Sequence, residues 1–143
     1  MKNTAVEIDS MIKTKPSPEV EHGFKTESVF SKKTVDIIIP FFNEFANVGN
    51  AHYCAEKLEK LFHIKNYIYI NNGSKDNTLN ELNKLKSENP KIKIIDINEN
   101  SGYGNGFKKG FESSTADYAI IRSFENQIQK YNSTIVDNAG LSF

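Results

Sequence analysis

The amino-acid sequence predicts an α/β fold built on a mainly parallel sheet. Short β-branched runs alternate with longer segments whose apolar residues recur every three or four positions, which is the usual order of strands and helices in such folds. The run from Val35 to Pro40 is almost continuously apolar, as expected of a strand buried on both faces. We therefore predict right-handed crossovers between four strands, at 36–39, 67–70, 92–97 and 118–121.

Three helices are predicted between these strands. The first has apolar or small residues at helical spacing, at Val48, Ala51, Ala55, Leu58 and Phe62. The second begins near Thr78, which can form a capping box with Glu81, and it ends at Asn89-Pro90. The third is a short helix near 104–113 that follows a glycine-rich turn.

The two ends of the chain give weaker patterns. Residues 1–34 mix charged residues with Ser, Thr and Pro and have no apolar period, so we expect a flexible N-terminal tail. The folded domain is predicted at 35–127. Polar residues interrupt any apolar period in residues 128–143, which we treat as a C-terminal remnant of uncertain structure.

Composition and charge exclude several classes of function. Lys plus Arg and Asp plus Glu both number 18, so no strong positive field favours a nucleic-acid partner. Cys54 is the only cysteine, which excludes an intramolecular disulfide and suits a reducing cytoplasm. No segment approaches the roughly 20 apolar residues of a membrane span, and the N-terminus lacks a signal-peptide core. We expect a cytoplasmic protein without a transmembrane segment, or one peripheral at the membrane.

Unusual loops follow the predicted strands. In open α/β sheets, ligands bind beyond the carboxyl ends of the strands, where four loops should converge. The loops run over residues 40–44, 71–76, 100–106 and 122–127. Gly, Asn and Ser are also ordinary turn residues, so the order of the four loops is more informative than any one of them.

These segments resemble family 2 glycosyltransferases over roughly residues 35–127. The opening strand of that family is an apolar run followed by Pro, an aromatic residue and Asn-Glu, as in residues 35–44. Residues 69–78 are similar to its second block, in which an acidic or amide pair precedes Gly-Ser and Asp and Thr follow. Residues 100–110 match the third block, and Ala116-Asp117-Tyr118 matches the approach to the metal motif.

The resemblance implies a GT-A fold, a Rossmann-like three-layer α/β/α arrangement that is incomplete here. It implies binding of a UDP or GDP sugar with Mg or Mn, and transfer to an acceptor with inversion, in cell-envelope glycan or glycolipid synthesis. A divalent cation would neutralise the departing diphosphate, and Mg and Mn prefer hard oxygen ligands.

The same resemblance implies which residues bind the nucleotide sugar. Those that border the base and ribose are Pro40, Phe42, Asn43 and Glu44. Asn71 and Asn72, followed by Gly73 and Ser74, stand where the family often has an aspartate that meets the base.

As amides, Asn71 and Asn72 either hydrogen-bond the base or cap their own turn. Gly102 and Gly104 permit close backbone approach, while Lys108 either reaches phosphate or is a solvated surface lysine. Asp76 is expected to start a helix rather than to contact the ligand.

The metal motif departs from the family pattern. Its Asp-x-Asp falls on Ser123-Phe124-Glu125, and Gln127 matches a residue often found just beyond it. Glu125 is therefore the one candidate metal ligand, unless the segment is a diverged surface loop. No general base can be assigned, because the acceptor half of the family would lie beyond this motif. We therefore expect a fragment, a decayed copy, or a module completed by a partner chain that supplies the acceptor half.

Two other functions compete with sugar transfer. A dinucleotide-binding Gly-x-Gly-x-x-Gly turn starting at Gly102 would need glycine at 107, where Phe107 stands, and it would follow the first strand rather than the third. A non-catalytic module that binds a nucleotide sugar or a protein would use the same fold without the chemistry, and the sequence leaves that alternative open.

Overall fold

The computed structural model of the chain describes residues 32–100, 102–125 and 130–137. The predicted tail therefore lies almost wholly outside the described residues, and so does part of the predicted remnant. The elements are β1 (Thr34–Phe41), a 3₁₀ turn (Phe45–Asn47), α1 (Val48–Glu56), a second 3₁₀ turn (Lys57–Lys60), β2 (His63–Asn72), α2 (Thr78–Glu88), β3 (Ile92–Ile97), α3 (Tyr103–Ser113), β4 (Tyr118–Glu125) and β5 (Lys130–Asp137).

The described strands form one sheet in the order β3-β2-β1-β4-β5. β1 is central and pairs in parallel with both β2 and β4, and β2 pairs in parallel with β3. β5 is antiparallel to β4. The prediction of a mainly parallel α/β sheet is confirmed. A regular edge strand within residues 128–143 is a feature that the polar sequence of this segment did not indicate.

Two apolar layers lie on opposite faces of this sheet. On one face, odd-numbered residues of β1 and β2 pack against α1 and α2 through Val48, Ala51 and Leu82. On the other face, even-numbered residues pack against Phe107 and Phe111 of α3. This alternation follows from the twofold side-chain period of a strand, and it gives the three layers of the predicted fold. No helix in the described part of the chain is both long and apolar enough to cross a bilayer.

Asp36 is a carboxylate buried at the centre of the sheet, where it is fully shielded from solvent. It accepts hydrogen bonds from Asn66 Nδ2 of β2 at 2.9 Å and from the Ser114 hydroxyl at 2.7 Å. The backbone N–H groups of Thr115 and Ala116 also donate to it, at 2.9 and 3.1 Å. Because a buried charge is tolerated only when it is fully hydrogen-bonded, this set ties β1 to β2 and to the segment that enters β4.

The structure corrects the predicted start of the second helix. Thr78 is the first residue of α2 rather than its N-cap, and Asn77 at the N-cap makes no side-chain capping bond. Asp76 accepts a hydrogen bond from the Thr78 backbone N–H at 3.0 Å. Asp76 therefore satisfies the helix start, as its sequence position indicated, and no capping box forms between Thr78 and Glu81.

Close packing of α3 on the sheet depends on Gly110. A Cβ atom at this position would lie 2.5 Å from Ile38 Cγ2 and 3.2 Å from Ile70 Cδ1. We predict that Gly110→Ala lowers the free energy of unfolding by about 1–3 kcal/mol, because overpacking forces the helix away from the sheet. Urea denaturation measures this change.

The matched control is Gly49→Ala in α1, where no described atom lies within 4 Å of the added Cβ. Alanine in a helix is about 0.5–1 kcal/mol more favourable than glycine, so this variant should be as stable as the original chain or more stable. Equal stability of the two variants would contradict the packing argument.

Candidate functional site

Parallel pairing brings the ends of β1, β2 and β3 to one edge of the sheet. The predicted loops after these strands therefore lie side by side, and α3 begins at the same edge. Pro40 itself is buried in β1, where it is the register partner of Ile70, so it lies in the strand rather than in a loop. Phe42 follows at the edge and is 38% exposed.

The loop after β1 is held against the loop after β2. The backbone N–H of Asn43 donates to the Ser74 hydroxyl at 2.9 Å. Asn43 returns a contact, since its Oδ1 accepts the N–H of Lys75 at 2.8 Å. The Glu44 carboxylate accepts from Asn47 Nδ2 at 2.7 Å. Three of the predicted site residues, Asn43, Glu44 and Ser74, thus have defined structural partners at this edge.

Asn71 and Asn72 were treated as a pair in the sequence, but as successive strand residues they serve opposite faces of the sheet. Asn71 is the register partner of Asp96 and donates to its carboxylate at 2.8 Å. Asn72 donates to the Gly102 carbonyl oxygen at 3.1 Å. A Cβ atom at Gly106 would lie 3.6 Å from Asn72 Nδ2 and 3.6 Å from Pro40 Cβ. Asn72 therefore lies on the face covered by α3.

These two contacts fix the orientation of each amide, because a carboxylate and a carbonyl oxygen accept only from the NH₂ end. The carbonyl oxygens of Asn71 and Asn72 are left buried, and neither has a hydrogen-bond partner among the described residues. An unpaired buried acceptor costs about 1–3 kcal/mol, so each oxygen is a place where a donor from a ligand would be favourable.

A recess of about 290 Å³ opens between the end of β2, the end of β3 and the start of α2. It is lined by Asn71, Gly73, Ser74, Asp76, Leu79, Asn80, Asp96, Ile97 and Asn98. Asp96 is the residue that the sequence analysis missed here. Its acidic side chain near the end of an otherwise apolar strand was the available signal.

Two glycines with positive φ shape the edge. Gly73 has φ 75°, and a Cβ there would lie 2.3 Å from the backbone nitrogen of Asn100. Gly102 has φ 94° and is the N-cap of α3, which has no side-chain capping bond. Its N–H donates to Asn100 Oδ1 at 2.7 Å. The second and third loops are therefore in direct backbone contact at Gly73, whereas the close backbone approach predicted for Gly102 stays a prediction, because no described atom lies within 4 Å of an added Cβ there.

The other predicted residues are more exposed. Gly104 lies in the first turn of α3, where no described atom lies within 4 Å of an added Cβ. Lys108 is exposed one turn further along α3. The backbone of Glu125 ends β4 and pairs with Lys130 of β5, but the Glu125 side chain and Gln127 lie outside the described residues. Within residues 32–100, 102–125 and 130–137, no three His, Cys, Asp or Glu side chains are grouped to hold a metal ion.

We predict that Gly73→Ala disrupts this edge. The new Cβ would meet the backbone of Glu99 and Asn100, at 2.7 and 2.3 Å, in a conformation that disfavours side chains. We expect a loss of about 1–3 kcal/mol from the unfavourable φ and a further loss from the clash. Gly102→Ala, which has a positive φ and no described atom within 4 Å, is the control for strain alone. Denaturant unfolding should show the larger loss for Gly73→Ala, and equal losses would refute the close contact between the loops.

Solved structures of two glycosyltransferases have the same fold. A glucosyl-3-phosphoglycerate synthase from Mycobacterium tuberculosis, in complex with Mn²⁺, UDP and glucosyl-3-phosphoglycerate, superposes with a TM-score of 0.56 at 16% identity, over 77% of this chain and 39% of that chain. The mannosyltransferase PcManGT from Pyrobaculum calidifontis, in complex with GDP-Man and Mn²⁺, gives a TM-score of 0.53 at 14% identity, over 62% and 26%. At these identities the likeness establishes the fold alone, which is the GT-A fold.

Comparison with known protein sequences identifies the family of the chain. The chain is 32% identical over 98 residues to CsbB of Bacillus subtilis (strain 168), a match that covers 68% of this chain and 30% of that protein. It is 31% identical over 88 residues to a poly-beta-1,6-N-acetyl-D-glucosamine synthase of Staphylococcus aureus (strain COL), covering 60% and 20%. The chain thus spans less than a third of these relatives. The model of glycosyl transferase family 2 matches residues 36–122, and the chain belongs to that family.

Proposed function

We propose that this chain binds the nucleotide part of a UDP or GDP sugar at the carboxyl edge of its sheet. The observation that carries this proposal is the carbonyl oxygen of Asn72. It is buried, it has no partner among the described residues, and its amide is held in one orientation by the Gly102 carbonyl. Such an oxygen is an unsatisfied acceptor, for which a ring N–H of a base is a suitable donor.

The Asn72 oxygen can distinguish nucleotide sugars by their base. Uracil and guanine each present a ring N–H on the pairing edge, whereas cytosine and adenine present a ring nitrogen without hydrogen there. The proposed site borders Pro40 and the exposed Phe42 ring, with Asn43 and Glu44 toward the ribose. Asn71 faces the recess beside Asp96, so we assign the base contact to Asn72.

We place the diphosphate at the start of α3. The positive end of the helix dipole at an N-terminus favours anions, and this helix starts at Gly102 without a side-chain cap. The open space around Gly104 allows phosphate oxygens to approach the backbone. Lys108, on the same helix, is proposed as a cation that reaches the phosphates.

A divalent cation, Mg or Mn, is the proposed cofactor, and the two solved glycosyltransferase structures compared above contain Mn²⁺. When bound, the cation would neutralise charge on the departing diphosphate. Among the residues of this chain we propose Glu125 as an oxygen ligand, because its backbone ends β4 at the loop edge. This single carboxylate is the protein ligand that we propose.

We propose that the bound donor is used for inverting transfer to an acceptor, in cell-envelope glycan or glycolipid synthesis. The relative from Staphylococcus aureus is a polysaccharide synthase by name, which supports a glycan as the product. No described residue is assigned as the general base. In this proposal the acceptor half is supplied by chain beyond the matched region or by a partner chain, with the protein acting in the cytoplasm or peripherally at the membrane.

A non-catalytic nucleotide-sugar-binding module is the second candidate. One observation favours it, since Ser123 stands where the family usually has the first carboxylate of its metal motif. Loss of that ionised ligand weakens the capture of a hard cation. This candidate keeps the same nucleotide site and differs only in the transfer step, so the binding experiment below tests what the two candidates share.

We predict that calorimetric titration of the purified chain detects UDP binding. CDP should bind about tenfold more weakly, because cytosine leaves the Asn72 oxygen unpaired at a cost of about 1–3 kcal/mol. NAD should give no measurable binding, since its adenine offers no ring N–H to Asn72 and its diphosphate carries a second riboside that UDP and CDP lack. Tighter binding of NAD than of UDP would contradict the proposal.

Asn72→Leu tests the assignment of this preference to one atom. The variant removes the acceptor while keeping a side chain of similar size, so the ratio of the UDP and CDP affinities should fall to about one. Asn83→Ala, which removes an exposed amide of α2, is the control and should keep the original ratio. If the ratio of the UDP and CDP affinities is unchanged in Asn72→Leu, a group other than Asn72 distinguishes the bases.

A further inference from the structure

The hydroxyl of Thr78 connects the start of α2 to the loop after β1. Thr78 is fully buried, and its Oγ1 accepts the backbone N–H of Glu44 at 3.0 Å. The same hydroxyl donates to the Asp76 carboxylate. A hydroxyl has a single proton, so its donation to Asp76 leaves the lone pairs of Oγ1 for the N–H of Glu44. One side chain thus joins two of the loops at the proposed site.

Asp76 holds the Thr78 hydroxyl in this orientation. Its Oδ1 also accepts the Thr78 N–H at 3.0 Å, and its Oδ2 accepts the N–H of Phe45 at 3.4 Å. Desolvation is the largest single effect on this carboxyl and opposes its ionisation, but the hydrogen bonds from Thr78 and Phe45 together outweigh it and lower the pKa of Asp76. Asp76 is therefore ionised at neutral pH and acts as an acceptor only, so the Thr78 proton points toward it.

The loop that receives this support has an unfavourable conformation. Asn43 has φ 51° and is the one residue other than glycine with positive φ in the described part of the chain. Residues in this region of φ and ψ persist when their surroundings hold them there. The bonds from Asn43 to Ser74 and Lys75, together with the bond from Glu44 to Thr78, supply those surroundings.

We infer that Thr78 is a positioning residue for the nucleotide, which it does not touch. This inference rests on the proposed function, because Phe42, Asn43 and Glu44 are the residues proposed to border the base and ribose. The Thr78 hydroxyl holds the backbone at Glu44 and thereby keeps this loop in the binding conformation. Without it the loop samples other conformations, and the apparent affinity falls in proportion to the competent fraction.

The test is a calorimetric titration of UDP into the original chain, Thr78→Val, Thr78→Ser and Ser87→Ala. Valine keeps the shape of threonine and removes the hydroxyl, while serine keeps the hydroxyl. Ser87 is the matched control because it lies in the last turn of the same helix, where its hydroxyl donates to the Lys84 carbonyl oxygen at 2.6 Å. We expect about threefold to tenfold weaker UDP binding in Thr78→Val, the range of one lost hydrogen bond, and original affinity in Thr78→Ser and Ser87→Ala.

A second measurement needs no ligand. The Glu44 amide hydrogen should exchange faster with solvent in Thr78→Val than in the original chain, and at the original rate in Thr78→Ser. Circular dichroism shows that the variants remain folded, and Thr78→Ala replaces Thr78→Val if the valine variant does not fold. Unchanged UDP affinity in a folded variant without the hydroxyl would overturn the inference and leave the proposed function intact. Absence of UDP binding to the original chain would instead refute the proposed function, and this inference with it.

Discussion

The arrangement of this sheet depends on the hydrogen bonds that the buried carboxylate of Asp36 accepts. This carboxylate lies in the central strand and receives hydrogen bonds from β2 and from the segment leading from α3 to β4. Hydrogen bonds to charged groups contribute about 1.5–3 kcal/mol each, and removing the acceptor would leave the buried donors of Asn66 and Ala116 without their partner. Because β2 and β4 are both aligned on β1 at this amino end, their carboxyl ends and the loops that follow are aligned at the opposite end.

This alignment explains why the polar side chains at the strand ends lie at one edge of the sheet, although they belong to different faces of it. Asn71 and Asn72 are adjacent in sequence, but one pairs with Asp96 and the other holds the turn at Gly102. A sheet with helices on both faces can therefore build two neighbouring polar environments from a single strand end. The nucleotide is assigned to the environment beside α3, where a helix N-terminus and an unpaired amide oxygen occur together.

The parallel core of the sheet could be predicted from the sequence, whereas the contacts between loops could not. An almost continuously apolar run, as at residues 35–40, is typical of a strand buried on both faces of a sheet. β5 was not predictable, because an edge strand needs little apolar pattern and is fixed by pairing with β4. Thr78 looked like a local helix cap, whereas its partner, the N–H of Glu44, lies 34 residues away. The opposite faces of Asn71 and Asn72 could have been predicted from strand periodicity.

The most direct test of the central claim is a map of amide chemical-shift changes as UDP is added to ¹⁵N-labelled protein. The account predicts changes at the carboxyl edge, at residues 42–44, 72–74 and 102–106, with the largest on the side of the sheet covered by α3. Amides at the amino end, around Asp36 and Ala116, should not shift. Changes centred on that amino end, or on the face covered by α1, would contradict the proposed location of the nucleotide site.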